Sequence, residues 1–296
     1  MMTKKIFVGL ALVMSCGFSF AQEEEGQVNP NSLLNIPRYE QLYKVKVWRT
    51  IYLNEKQNKG FFAKGNELTK LVMNAVASGE LADIYERDSL TRKRSKEDYN
   101  NGLISTPGAT LDPWGPAIEC YQGDTKSYNG KNYEAIVDSK GKNPETSPNE
   151  WSVTQAGKAI TFDPSQVYRL TLVEDMIFDK RRSRLYYDML AVEFLAFDDP
   201  TSTFKSLGWF RYKDLEKLFR NHVKDAIWFN RYNTAENRNY ADAFLLRLFH
   251  GTINKVENPN DDTIFDVYRE RYKEGVWATE WEEMKLMERE HNLWEY

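Results

Sequence analysis

The sequence predicts an α+β fold: a mixed core of antiparallel strands and short helices, with a small all-β module inserted into it. Three observations carry this. Strand-like runs and helical stripes occur in separate blocks, without βαβ alternation. No unit of about 20–50 residues repeats. Between residues 102 and 157, Gly, Pro, Asn and Ser rise and helical periodicity disappears. The 296 residues, 41% hydrophobic and 14% aromatic, suffice for one large domain carrying a small passenger.

In chain order, Lys4 and Lys5 precede an apolar run from Ile6 to Phe20. Ser19-Phe20-Ala21 then puts small residues where a signal peptidase reads, so a signal peptide over 1–21 is expected. A membrane anchor is the poorer reading, since the run is shorter than the ~20 residues that span a bilayer. Lipidation at Cys16 is a further alternative, though Val13-Met14-Ser15 fits the lipoprotein pattern less well than Ala21 fits cleavage. Residues 22–38, with a Glu run and "NPNS", predict a flexible leader. The fold proper then begins near Tyr39.

Residues 39–105 form the first part of the core. "YKVKVWRTIYL" (43–53) is compatible with strand or helix. Leu68, Leu71, Val72, Ala75 and Val76 follow one helix face, with Asn66 as its N-cap and Gly79 as its end. The charged stretch 87–101 reads as a solvated surface segment. Residues 106–157 form the inserted module, and 158–296 the second part of the core.

From Val167 the pattern is strand, turn, strand. Val173, Asp175 and Ile177 alternate with Leu172, Glu174 and Met176. "DKRRS" makes a hydrated turn, and Tyr186, Leu190, Val192 and Phe194 carry the return strand. Residues 212–222 predict a helix with Leu215, Leu218 and Phe219 inward. Residues 239–251 predict another, with Tyr240, Phe244, Leu245, Leu248 and Phe249 as its stripe and Gly251 as its C-terminal cap. The tail places Trp277, Trp281, Met284, Met287 and Trp294 along one side of a helix. Packing on their own domain is the favoured reading of these residues. Docking onto a partner is the other, because Trp and Met are enriched at interfaces.

Charge and cysteine usage narrow the function. Cleavage after Ala21 would take the basic count from 40 to 38 against 44 acids, and no basic patch stands out, so no nucleic-acid partner is expected. Only Cys120 would remain, and one cysteine makes no internal disulfide. A soluble periplasmic protein is the simplest expectation.

Nothing points to catalysis. His222, His250 and His291 stand apart without metal-type spacing. GxSxG, P-loop and HExxH motifs are absent. The acid pairs Glu174-Asp175, Asp198-Asp199 and Asp261-Asp262 lack any implied facing geometry. "NPNDD" (258–262) lacks the spaced ligands of a calcium loop. No cofactor and no metal is expected. A binding or assembly protein is favoured, with a periplasmic hydrolase as a remote alternative.

Several segments resemble, in order, the gliding motility protein GldN family, whose secretion counterpart is PorN. They are "VWRTIYLNEKQN" (47–58), "NELTKLVMNAVASGELADIYE" (66–86) and "YRLTLVEDMIFDKRRSRLYYDMLAVEF" (168–194), the last with Glu174, Phe178, Asp179 and Lys180 in the family's hairpin. "WFRYKDL" (209–215) and "ADAFLLRLFHGTINKVENPNDDTIFDVY" (241–268) follow, the latter with Arg247, Phe249, Gly251, Ile253, Lys255 and Asn258. The resemblance covers about two thirds of the chain. It implies a periplasmic, non-enzymatic component of the type IX secretion and gliding apparatus of Bacteroidetes, tied to the outer membrane through a partner. Such proteins self-associate in a ring with an outer-membrane lipoprotein subunit. They meet the periplasmic domain of an inner-membrane motor protein.

The inserted segment departs from that family. Trp114, Tyr121, Gly123, Asp124, Tyr128, Asn129, Gly130, Tyr133, Ala135, Gly141, Asn143, Pro144 and Trp151 resemble the pattern of small carbohydrate-binding modules attached to chitinases and phage tail proteins. Asn129-Gly130 suits a type I′ turn, with Tyr128 and Tyr133 flanking it as cross-strand aromatics. Trp114, Tyr121, Tyr128, Tyr133 and Trp151 are the candidate glycan-binding residues, with peptidoglycan as the natural periplasmic glycan. Against this, "AIVDSKG" (135–141) lacks the adjacent aromatics of chitin binders, and Trp114, Tyr133 and Trp151 can equally form a miniature core. A structural or protein-contact role is therefore favoured. A periplasmic glycan-binding adaptor is the alternative function.

Overall fold

The computed structural model describes residues 28–106, 111–154, 156–157, 159–199 and 201–294. The expected signal peptide and Cys16 lie outside these residues. Strands β1 (Gln41–Tyr52), β2 (Ile104–Thr106), β3 (Glu119–Cys120), β4 (Thr125–Tyr128), β5 (Lys131–Ala135), β6 (Ser139–Lys140), β7 (Trp151–Val153), β8 (Ile160–Thr161), β9 (Arg169–Asp179), β10 (Arg184–Asp198), β11 (Thr203–Arg211) and β12 (Thr252–Val256) alternate in blocks with six helices among the described residues. The helices are α1 (Leu68–Ser78), α2 (Lys96–Gly102), α3 (Tyr212–Asn221), α4 (Tyr240–Leu245), α5 (Ile264–Val267) and α6 (Tyr272–Trp294). The fold is α+β, and its principal sheet has the order β11-β10-β9-β1-β12. Contacts divide the chain into two units, Met1–Thr50 with Leu172–Leu190 and Thr252–Tyr296, and Ile51–Thr171 with Ala191–Gly251.

In the first unit, part of the expected flexible leader is anchored. Ser32 and Ile36 are buried. The Ser32 hydroxyl donates to Asp188, and the Leu33 N–H reaches the same carboxylate at 3.1 Å. A buried acceptor thus holds residues whose composition alone suggests a linker. The expected strand β9 forms, but both of its alternating faces are covered: every residue from Leu170 to Asp179 is buried. Its charges are instead neutralised in place. Lys44 sits 2.6 Å from Asp175, and Arg49 joins Glu174 at 3.2 Å to Glu283 of α6 at 2.7 Å. Burial pushes the Asp179 carboxyl up, but hydrogen bonds from the Arg182 side chain and the Arg182 and Arg181 N–H groups outweigh it, leaving Asp179 below the usual carboxylate range.

In the second unit, α1 buries the five predicted stripe residues, and Gly79 ends it at φ 85°. Asn66 is not its cap. Glu67 holds that position without a side-chain bond to the helix, while Asn66 pairs with Ala63 in a short ladder. The charged stretch 87–101 is not wholly solvated either. Ser95 caps α2, and Tyr99 within it is buried, its hydroxyl pushed up to about 12 by burial. Helix α3 buries Leu215, Leu218 and Phe219 as expected.

Helix α4 stops well before Gly251. Arg247 takes the left-handed conformation at φ 53°. The N–H groups of Arg247 and Leu248 then bond Phe244 O and Ala243 O, both at 2.9 Å, which closes the helix by a Schellman motif. Leu245, in the last turn of the helix, faces outward and is not part of the buried stripe. Asn58, fully buried, receives the chain beyond: it accepts from the His250 N–H at 2.7 Å and donates to the His250 carbonyl at 2.8 Å.

The segment 111–154 hangs on the antiparallel pair β2–β8, where Ile160 partners Thr106. It holds the sheets β3–β6 and β4–β5–β7. Asn129 and Gly130, at φ 49° and 74°, form the predicted tight turn. Tyr128 and Tyr133 flank the turn on facing strands, as expected, but they are not directly opposed. Tyr128 opposes Lys131 and Tyr133 opposes Lys126, so the two rings are diagonal neighbours.

Candidate functional site

The glycan-site candidates in 111–154 mostly point inward. Cys120, Tyr133, Ala135 and Trp151 form a buried cluster, with Trp114 and Tyr128 packed against it. The Trp114 and Tyr128 rings meet edge to face at 5.3 Å. The Trp151 indole N–H donates to Lys142 O at 3.0 Å. Asn143 donates to the Tyr128 hydroxyl at 3.0 Å and accepts from the Glu145 N–H at 2.9 Å. The Asn143-Pro144 turn is thereby tied to the same core. Tyr133 and Trp151 each have only 3% of their surface exposed, which leaves no face for a pyranose. So few residues have little aliphatic surface to bury, and their large rings supply the core instead. Tyr121 alone among the five stands out in solvent, at 60%. The burial of Cys120 also raises its thiol above the usual range.

Helix α6 does the opposite. At 3.6 residues per turn, Gly275 and Thr279 fall on one side and Trp277, Trp281 and Met284 on the other. The first pair is buried, and a Cβ on Gly275 would crowd the Phe265 ring at 3.0 Å. The second side is open: Trp277, Trp281, Met284 and Met287 are all more than half exposed, at 64%, 54%, 54% and 61%. The expectation that they pack on their own domain is therefore overturned. The inner face is already taken by Gly275, Thr279 and the Glu283–Arg49 pair. Trp294 is exposed as well, though its ring meets Phe178 edge to face at 5.9 Å.

An open groove of about 890 Å³ lies beside this face. Trp277 and Trp281 form one wall, and Val256, Ile264 and Val267 contribute apolar surface opposite. Thr263 and Asp266 build a capping box that starts α5 and so fixes that wall. The sequence reading missed this wall. The available signal was the Thr-x-x-Asp box Thr263–Asp266, which encloses Ile264 and Phe265 and is followed by Val267.

The acid pairs do not build an open carboxyl site. Glu174 and Asp175 are buried against Arg49 and Lys44. Asp198 accepts from Ser105 and Thr201, and Asp261 pairs with Lys255 beneath the Trp48 ring. His222 contacts Glu80 at 2.7 Å, and His250 lies 3.5 Å from Glu55. Among the described residues no group of three or more His, Cys, Asp or Glu is arranged to hold a metal, and no helix is long and apolar enough to cross a membrane.

Residues 36–295 match the family model described as "Gliding motility associated protein GldN". No curated protein matches the chain.

Proposed function

The chain belongs to the GldN family, and from that premise we propose that it is a non-enzymatic structural component of the type IX secretion and gliding apparatus. It works in the periplasm and is held to the outer membrane through a lipoprotein partner. With that lipoprotein and further copies of itself it builds a ring, which meets the periplasmic domain of the inner-membrane motor protein. The observation that carries the reading is the outward Trp and Met row of α6. Four large apolar side chains held in water by one rigid helix form the kind of patch that marks a protein contact.

The segment 106–157 is a passenger in this account. Its two ends meet at β2–β8, so it can be carried without disturbing the strands around it. Its rings serve its own packing, and peptidoglycan stacking would fall to Tyr121 alone. The test is copurification from native membranes of the tagged full chain and of a chain lacking 106–157. The same companions are expected with both. Loss of the companions from a deletion chain that still melts cooperatively would move the activity into the segment and overturn the proposal.

A further inference from the structure

A second surface, remote in sequence from α6, has the character of a peptide site. Residues 56, 57, 59, 60 and 228–232 line a groove of about 460 Å³ in the second unit. The Phe229 N–H bonds Gly60 O at 2.9 Å and fixes the two segments side by side. Gly60 is required there, because a Cβ would overlap the Trp228 indole. The indole N–H is buried at this junction with no acceptor.

The charge is one-sided. Lys56, Lys59 and Arg231 line the groove and no acid does. All three are exposed, and none makes a salt bridge among the described residues. The nearest acids in sequence are engaged elsewhere, Glu55 by His250 and Glu236 by Arg238. Three cations without a salt bridge lining one groove, in a chain of net charge −4, is not the dispersed pattern of a solvated surface. Apolar surface lies among them: Phe229 is 42% exposed and Tyr232 85%, with the Arg231 guanidinium 5.0 Å from the Tyr232 ring centre.

We propose that this groove binds an extended acidic peptide segment of a partner protein. The cations come from two separate segments, Lys56 and Lys59 from one and Arg231 from the other, which suits carboxylates spaced along a backbone better than one compact phosphate. The Phe229 and Tyr232 rings would cover the methylene stems of glutamates. Attraction at an open groove of this kind acts chiefly on association and falls with salt.

The probe is a fluorescein-labelled hexaglutamate peptide, followed by polarisation against the full chain. Saturable binding is expected, weakening as salt rises from about 50 to about 300 mM. Lys56→Glu/Lys59→Glu/Arg231→Glu should weaken it at least about tenfold, Arg231→Glu alone by less, and Lys131→Glu outside the groove not at all. Phe229→Ala should weaken it without changing the salt dependence. Because the three cations are exposed, melting should stay unchanged. An absence of saturable binding, equal binding by the triple variant, or displacement by inorganic phosphate at equal charge would each overturn the proposal.

Discussion

Segment 111–154 and helix α6 carry comparable aromatic signals in sequence and dispose of them in opposite ways. In the segment, Tyr133 and Trp151 close a miniature core, with Trp114 and Tyr128 against it. On α6, Trp277 and Trp281 stand in solvent, while a glycine and a threonine take the buried side. The difference follows from what else each region has to bury. The segment has almost no aliphatic core of its own, so its rings become the core. Helix α6 is held by a close approach at Gly275 and by the Glu283–Arg49 pair. Its rings are therefore left over for contact.

The largest effect is expected from removing a ring of the segment's core. Trp151→Ala deletes a buried indole and should cost about 3–5 kcal/mol. That exceeds what so small a unit can supply, so limited proteolysis should cut within 111–154 while the flanking core stays resistant. An unchanged cleavage pattern would mean that the ring is not the keystone. Gly130→Ala should cost less, about 1 kcal/mol, because Gly130 sits at φ 74° and alanine is strained there. Hydrogen exchange at Tyr128 and Lys131 should rise accordingly.

Two carboxyls, buried Asp179 and half-buried Glu193, sharpen the same inside–outside distinction through pH. Burial raises Glu193 above the usual carboxylate range, partly offset by the Ser206 and Thr171 hydroxyls. A raised folded value means that the stability is present below the ordinary carboxylate range and is lost as pH rises through the folded value. Asp179 has the opposite sign: its contribution is present above the ordinary range and is lost as pH falls through its lowered folded value. Glu193→Gln, which keeps an acceptor for Ser206, should therefore flatten the melting profile on its rising-pH side. Asp179→Asn should flatten it on the acid side. Parallel changes in both variants would contradict these assignments.

What was legible in the sequence was local. The stripe Leu68–Val76, the Gly79 stop and the Asn129-Gly130 turn each depend on neighbours in the chain, and all three formed. What was not legible depends on distant partners. The β9 charges could be buried only because Lys44 and Arg49 arrive from β1. Helix α4 closes at Arg247 while Asn58, far off in sequence, holds the His250 peptide beyond it. The direction of the α6 rings was invisible for the same reason. A Trp/Met stripe has the same periodicity whether it faces a core or a partner, and only the buried Gly275–Thr279 side decides between them.

The smallest effect on stability is expected on α6. Trp277→Ala/Trp281→Ala removes two exposed rings and should change stability by no more than about 0.5 kcal/mol. That near-silence makes the variant the most direct test of the central claim, that this chain acts through protein contacts made by the outward face of α6. The measurement is copurification from native membranes, wild type beside the double variant, with melting recorded for both. Equal melting and loss of the companion proteins from the variant are expected. Companions retained in full by an equally stable variant would contradict that claim.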